Sequence, residues 1–188
     1  MRNRPLFPAS QQGFTLLEAI TVTAIIMVGA AMAIPVTMAM VNNARGDSAM
    51  VVTATFLETT RNRAVAERRN LQISFPTNNT IQVDRIEVPS GLLTTISSMT
   101  LEGGEEFTRM GLPDTPDAFG GAGAVNFTGV APVMFTSDGS FIDSAGDVTN
   151  ATIFVARPGV PETGRAVTIW GVTGLMRTWK WRGTLWQQ

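Results

Sequence analysis

Cysteine and histidine are both missing from the 188 residues. Without cysteine there is no disulfide framework, no thiolate zinc site and no cysteine nucleophile. An exported domain built from this chain is stabilised by its core alone. Without histidine the commonest general base and metal ligand are gone, and with them the usual serine triad and zinc hydrolase. Charge is scarce as well: 15% of residues are charged against 44% hydrophobic, and the formal net charge is −1. A balance so near zero exerts no global pull on nucleic acid or anionic lipid, so any basic site is local. These absences argue against an enzyme, with a membrane-tethered carboxylate enzyme the remaining chemistry. No cofactor and no metal is implied.

What the chain does have is a divided N-terminus. Residues 1–13 are polar, with Arg2, Arg4, Pro5 and Pro8, and end at Gly13. From Phe14 to Ile34 the residues are almost all Leu, Ile, Val, Ala, Met, Thr and Gly, with one charge, Glu18. As a helix rising about 1.5 Å per residue, this run covers roughly 30 Å, the thickness of a bilayer core. The arginines before it favour a cytoplasmic N-terminus and a C-terminal domain on the far side. A secretory signal would have a shorter apolar core with a small-residue cleavage site after it. Ala31 to Ala33 imitate such a site, but the run is long and carries a glutamate. A plain anchor accounts for the length and not for Glu18, because a carboxylate in hydrocarbon costs roughly 2.5–3.5 kcal/mol on insertion scales. Such a cost usually marks function, with a partner for the charge.

Gly13-Phe14-Thr15-Leu16-Leu17-Glu18 resembles the prepilin motif of type IV pilins and type II secretion pseudopilins. The resemblance implies that a membrane prepilin peptidase cuts between Gly13 and Phe14 and methylates the new Phe14 amine. Glu18 is then the fifth residue of the mature chain, the place of the family's glutamate. Pro35 is the twenty-second, where many members carry a helix-kinking proline. A cut before the apolar run leaves the anchor attached and creates a positive amine at the membrane edge, and methylation keeps that charge. Glu18 can pair with the Phe14 amine of a neighbouring subunit, cancelling two charges that apolar surroundings penalise. The pairing would set the axial register of a filament. Pro35 lacks an N–H and opens one helical hydrogen bond, so it either bends the helix or ends it.

Between Val36 and Glu67 the strongest breaker is Gly46; with Asn42, Asn43 and Asp47 it weakens the helix locally, as a hinge would. Met50, Ala54, Leu57, Ala64 and Val65 recur at about helical spacing, a stripe suited to packing under a sheet. Arg61, Arg63, Arg68 and Arg69 stand toward the helix end, where cations face solvent or complement the dipole. Thr60-Arg61-Asn62-Arg63-Ala64-Val65-Ala66-Glu67-Arg68, followed by Leu71-Gln72-Ile73-Ser74-Phe75, resembles the helix-to-first-strand region of the GspH/FimT family of minor pseudopilins. Arg61 and Ala64 fit that pattern. Arg63 departs from it, since an acidic residue is usual there.

From Leu71 the pattern changes to period two. Strands are expected over 71–75, 80–88, 94–101, 133–135, 152–156, 166–172 and 175–181, with turns at 76–79, 137–140 and 171–174. Residues 103–124, rich in Gly, Pro, Asp and Glu, read as one long loop. The expected fold is α+β: a long N-terminal transmembrane α-helix, pilin-like, packed against a small antiparallel β-sheet domain. Its parts are a leader peptide over 1–13, a transmembrane helix segment over 14–35, an extramembrane continuation over 36–69 and a periplasmic β-rich domain over 70–188. The GspH/FimT resemblance adds two facing sheets. It also matches Val133-Met134-Phe135-Thr136-Ser137-Asp138-Gly139, where the family often has a phenylalanine before a glycine turn.

Little else in the sequence carries chemistry. Asp138, Asp143 and Asp147 sit near glycines, as oxygen ligands in calcium loops do, but the EF-hand pattern is not met and aspartate is ordinary in turns. Glu105-Glu106 and the pair Asp114 and Asp117 lie in the long loop, a poor place to raise a catalytic pKa by burial. There is no Gly-rich phosphate motif.

The tail is ambiguous. All four tryptophans, Trp170, Trp179, Trp181 and Trp186, fall near the end, interleaved with Arg165, Arg177, Lys180 and Arg182. Cations that meet phosphates and rings that stack on bases can bind nucleic acid. Some FimT-type minor pilins bind DNA through a C-terminal Gly-Arg-x-Arg motif; the matching stretch is Gly174-Leu175-Met176-Arg177, with Leu175 in place of the first arginine. The alternative is a terminal strand with Trp179 and Trp181 on one side and Lys180 and Arg182 on the other, serving the core or a partner pseudopilin. Arg177, Lys180, Arg182, Trp179 and Trp181 are thus the candidate contacts for a partner protein or nucleic acid. The expected function is a minor pseudopilin of a type II secretion system, held in the inner membrane by a single span and assembled into a periplasmic pseudopilus. The alternative is a FimT-like minor type IV pilin serving pilus biogenesis or DNA uptake. The implied partners are other pseudopilins or pilins, the prepilin peptidase, the inner-membrane assembly platform and membrane lipid, with DNA ranked behind them.

Overall fold

The computed structural model describes residues 13–188; Arg2, Arg4, Pro5 and Pro8 of the expected leader lie outside them. The chain forms two compact units, Met1–Met40 and Val41–Gln188. One helix, α1 (Leu16–Glu67), contributes to both.

In the first unit α1 starts because Thr15 caps it. The Glu18 N–H donates to Thr15 Oγ1 at 3.3 Å, and the Ala19 N–H to the Thr15 carbonyl at 3.1 Å. This satisfies amides that a helix start otherwise leaves orphaned. In this part of α1, Thr21, Thr23 and Thr37 turn their hydroxyls back onto the carbonyls of Leu17, Ala19 and Ala33 at 3.1, 2.7 and 2.9 Å. These donors therefore need no water. The run is long and apolar enough to cross a membrane. Pro35 lies inside α1 and does not end it.

In the second unit eleven strands follow among the described residues: β1 (Leu71–Thr77), β2 (Thr80–Ile86), β3 (Leu93–Thr100), β4 (Glu106–Phe107), β5 (Val125–Phe127), β6 (Val133–Phe135), β7 (Phe141–Ile142), β8 (Ala151–Arg157), β9 (Val160–Trp170), β10 (Leu175–Trp181) and β11 (Trp186–Gln187). The first sheet runs β3-β2-β1-β6-β7 and the second β11-β10-β9-β8-β4, with β5 also on β8. Every pairing is antiparallel.

One core joins the helix to both sheets. Ala49, Leu57 and Ala64 meet Leu71, Ile73, Ile81, Val83, Val133 and Phe135 of the first sheet and Ile153, Val155, Val167 and Ile169 of the second. The buried helix stripe is Gly46, Ala49, Thr53, Leu57, Thr60 and Ala64, spaced three and four apart as one helical face requires. It differs from the expected stripe: Val65 is exposed, and Thr53 and Thr60 are buried. Their hydroxyls bond the carbonyls of Ala49 and Phe56 at 2.8 Å each, which removes the cost of burying them. The hinge expected at Asn42, Asn43, Gly46 and Asp47 is also overturned, since α1 is unbroken there. A Cβ on Gly46 would stand 2.9 Å from the Thr163 carbonyl oxygen, so the glycine serves close approach of helix and strand.

The helix ends at Glu67, short of the expected 69. Arg68 takes φ +53°, the Arg69 N–H reaches the Ala64 carbonyl at 3.1 Å and the Arg68 N–H the Val65 carbonyl at 3.3 Å. That is the two-bond C-terminal cap in which a left-handed residue satisfies the last carbonyls. Arg68 and Arg69 are therefore cap residues beyond the helix. Strand β9 begins at Val160, six residues before the expected start, because the Thr163 hydroxyl bonds the Val160 carbonyl and accepts the Arg157 N–H at 2.7 and 2.9 Å.

The segment 103–124 contains β4, and much of the rest is a strap over the outer face of the second sheet. Leu112 packs with Phe154, Ala166, Trp179 and Trp186 in a second apolar cluster. The Arg109 guanidinium lies 5.1 Å above the Phe154 ring, its Nε donates to the Leu112 carbonyl at 2.7 Å and its Nη2 meets Asp114 at 2.8 Å. Phe119 meets Trp170 edge-on at 5.2 Å.

Candidate functional site

The N-terminal candidates sit at the head of α1. Gly13 and Phe14 precede the helix and are exposed, and nothing lies within 4 Å of a Cβ placed on Gly13. The peptide bond between them is open to an approaching enzyme. Glu18 occupies the third helical position after its Thr15 cap, where a carboxylate also complements the helix dipole. Among the described residues its carboxylate makes no hydrogen bond and no ion pair.

The tail candidates are drawn inward. Trp179 pairs with Ala166 and Lys180 with Arg165 across β10 and β9, so neighbouring side chains leave on opposite faces. On the strap side, Trp179 Nε1 donates to Asp117 Oδ2 at 3.2 Å and to Thr168 Oγ1 at 3.1 Å. Arg177 Nη1 meets Asp117 Oδ1 at 3.0 Å, and its guanidinium lies 5.2 Å above the Trp170 ring. Trp181 packs on Trp186 at 5.2 Å, and Trp186 Nε1 donates to the Pro113 carbonyl at 3.2 Å. On the helix side, Lys180 Nζ bonds Asp47, which also receives Arg165 Nε at 2.6 Å. Arg182 is exposed and donates to Gln187 Oε1 at 3.2 Å.

Three residues organise this region in roles their sequence positions did not suggest. Asp117 gathers Thr168, Arg177 and Trp179 and pins the strap. Arg165 is wholly buried, and Asp47 binds it together with Lys180. Burial pushes the Asp47 carboxyl up, but the bonds from Lys180 and Arg165 outweigh it and hold the group below its ordinary value of 3.8. A lone arginine in a β-run and an aspartate in a helix carry no local pattern that would pair them across 118 positions.

Asp138 and Asp143 are engaged within their own turns. Asp138 accepts from Thr136 and from the Ser140 amide and hydroxyl, which hold its carboxyl at about 2. Asp143 accepts the amides of Val130, Ala145 and Asp147 at 3.1, 2.9 and 3.0 Å. No group of three or more potential metal ligands occurs among the described residues. Glu105 is enclosed with neither carboxylate oxygen bonded; burial pushes its carboxyl up against the pull of Arg157, Arg165 and Arg45.

At the head of the chain, residues 8–34 match the family described as the prokaryotic N-terminal methylation motif. The matched stretch includes Gly13, Phe14 and Glu18. A search of curated proteins gives no match. Among solved structures, the chain is similar to the minor pseudopilin EpsH from the Type 2 Secretion System of Vibrio cholerae, with TM-score 0.49 and 11% identity over 71% of this chain and 95% of that one. It is also similar to the type IV minor pilin FimU of Pseudomonas aeruginosa, with TM-score 0.47 and 14% identity over 70% of this chain and 85% of that one. The methylation motif heads a long apolar helix, and an antiparallel body is built on that helix's second half. Residues 8–34 thus carry the N-terminal methylation motif, on a fold of one long helix and two antiparallel sheets.

Proposed function

We propose that this protein is a minor pseudopilin of a type II secretion system, cut after Gly13, methylated on Phe14 and assembled from the inner membrane into a short periplasmic filament. The observation that carries the proposal is the placement of an open Gly13–Phe14 bond, and of a Glu18 with no ion pair among the described residues, at the head of an apolar helix. The likeness of Thr60–Arg68 and Val133–Gly139 to the GspH/FimT pattern supports a minor subunit, a feature shared with the alternative below. The test is paired. Gly13→Val should retain the 13-residue leader, read as a mass difference on the full chain. Glu18→Ala should be cut normally yet fall about tenfold in the assembled fraction, the loss expected when a pairing of about 1.4 kcal/mol is removed. Normal assembly of the Glu18→Ala chain would sink the role given to that carboxylate.

The alternative, a FimT-like minor pilin that binds DNA, rests on the tail. The internal pairing of Arg177 and Lys180 with Asp117 and Asp47 counts against it. A gel-shift titration, with Arg177, Lys180 and Arg182 neutralised as control, decides it: absent or salt-insensitive binding removes the alternative.

A further inference from the structure

An apolar tip stands beside the end of α1. In the turn joining β2 to β3, Val88 is 66% exposed, Leu92 68% and Leu93 52%. The backbone orders this tip: the Gly91 N–H donates to the Glu87 carbonyl at 2.7 Å, and the Glu87 N–H to the Leu92 carbonyl at 2.9 Å. The Ile86 N–H donates to the Asn70 carbonyl at 3.2 Å, which ties the tip to the chain just past the helix. Apolar side chains clustered in the open on an ordered surface mark a contact for a partner.

The charges around the tip are unbalanced. Residues 63–70 and 85–93 hold four arginines and two glutamates. Arg63 pairs with Glu67 at 2.6 Å, and Arg85 reaches Glu67 at 3.5 Å and Glu87 at 2.7 Å. Both carboxyls are held below their ordinary values, Glu67 chiefly by the bond from Arg63 and Glu87 by the bond from Arg85. The two glutamates are thus ionised and already engaged. Arg68 and Arg69 have no ion pair among the described residues, and Arg68 is exposed. Arg69 lines an open hollow of about 380 Å³ with Glu67, Arg85 and Glu87. This end of the body therefore carries an excess of two positive charges, on a chain whose net charge is −1.

We propose that this end of the body docks an acidic surface of a different subunit of the same filament. Val88, Leu92 and Leu93 enter an apolar socket there, and Arg68 and Arg69 meet carboxylates on its rim. An apolar centre with a charged rim is the usual anatomy of a protein–protein contact, and a guanidinium takes a carboxylate through two parallel bonds. Charge selects the partner. A second copy fits poorly, because the apolar groove it offers between α1 and β3 is lined by one charged side chain, the cation Arg63, and by no carboxylate. Nucleic acid would satisfy the arginines but set three aliphatic side chains against phosphates, with no ring at residues 85–93 to stack on a base. The anchoring membrane fits poorly as well. Within the body α1 runs from Val41 to Glu67, about 40 Å, and the tip stands at the end away from the point where the chain enters. The contact rests on the filament-subunit function proposed above and gives a minor subunit a neighbour unlike itself.

The chain has one lysine, Lys180, and Asp47 holds it. Arg68→Lys therefore adds a single exposed amine at the rim and keeps the charge. Full-length Arg68→Lys chains in their own membranes are treated with a carbodiimide, which joins an amine to a carboxylate in direct contact, and the joined peptides are sequenced. The introduced lysine should be found on an aspartate or glutamate of another chain that bears the N-terminal methylation motif. The yield should fall about tenfold when Leu92→Asp sets a carboxylate against the acidic rim, and it should fall as salt rises. A joint to a second copy of this chain, a joint to a protein without the motif, joints confined to the chain's own glutamates, or a yield indifferent to Leu92→Asp overturns the proposal. Cleavage after Gly13 and recovery in the assembled fraction are scored in the same membranes. If both hold and the joint is absent, the docking surface alone is wrong; if both fail, the filament function falls with it.

Discussion

Asp47→Asn tests how α1 is held to the second sheet. The change keeps shape and removes one charge. Arg165, 0% exposed, then loses its one ion-pair partner among the described residues. Leaving a buried ion unpaired costs roughly 3–5 kcal/mol in an enclosed site. Two features reduce that figure. The Asp47 side chain is 38% exposed, so its field is screened by water, and Arg165 keeps the carbonyls of Glu162 and Gly164 at 3.2 and 2.8 Å. The expected loss at neutral pH is about 1–2 kcal/mol after that discount. With a denaturant dependence of about 2 kcal/mol per molar urea, the midpoint falls by about 0.5–1 M. The pH dependence has a definite sign. The native state holds the Asp47 carboxyl below 3.8, so its contribution is complete above about pH 4 and is lost as pH falls through the native value. Asparagine mimics the protonated acid, so the two proteins converge in acid. The assay is urea unfolding of a fragment starting at Val41, with cooperative unfolding of the parent fragment as control. A midpoint unchanged at pH 7, or a difference as large at pH 3 as at pH 7, would refute the reasoning.

Two further substitutions separate the parts of the body. Leu57→Ala removes a 0% exposed side chain at the centre of the helix stripe and should cost about 2–5 kcal/mol in the same unfolding assay. Val65→Ala, on the exposed side, should stay within about 0.5 kcal/mol; equal effects would mean the stripe is misassigned. Asp117→Ala should cost about 1–3 kcal/mol by leaving Thr168 and Trp179 without their carboxylate. It should also shift tryptophan emission to the red and open residues 108–121 to proteolysis. Unchanged emission and cleavage would show that Asp117 does not fasten the strap.

What the sequence made legible is the part governed by local rules. Gly13, Phe14 and Glu18 are defined by spacing along one segment, and the long strands by alternation. Of the strands of two or three residues only β6 was expected; β4, β5, β7 and β11 were not legible, because so few residues establish no period. Thr53 and Thr60 escaped because a polar residue is counted as outward, although a hydroxyl that bonds its own helix can face inward. The polar stretch around Asn42 and Asp47 read as weakness from propensity alone. Its partners, Arg157 and Arg165, lie more than a hundred positions away and convert the same residues into a docking seam. Tertiary contact overrides propensity in this way. In the tail the strand 175–181 and its alternating faces were legible; the partners of its cations were not, because Asp47 and Asp117 lie far away in the chain.

The bond from Lys180 to Asp47 spans 133 positions, and that distance orders events in time. A ribosome makes the helix first and β10 nearly last, so the helix waits for most of synthesis before the strand that clamps it exists. Until then Asp47 has no cation from β10, and Phe154 and Ala166 lack Trp179 against them. Contacts between distant parts of a chain form late because loop closure precedes any gain from them. Translation must pass β10 before this body can close. A chain stopped short of Leu175 would hold all of α1 yet leave Asp47 without Lys180, and Phe154 and Ala166 without Trp179, with the second sheet unsealed.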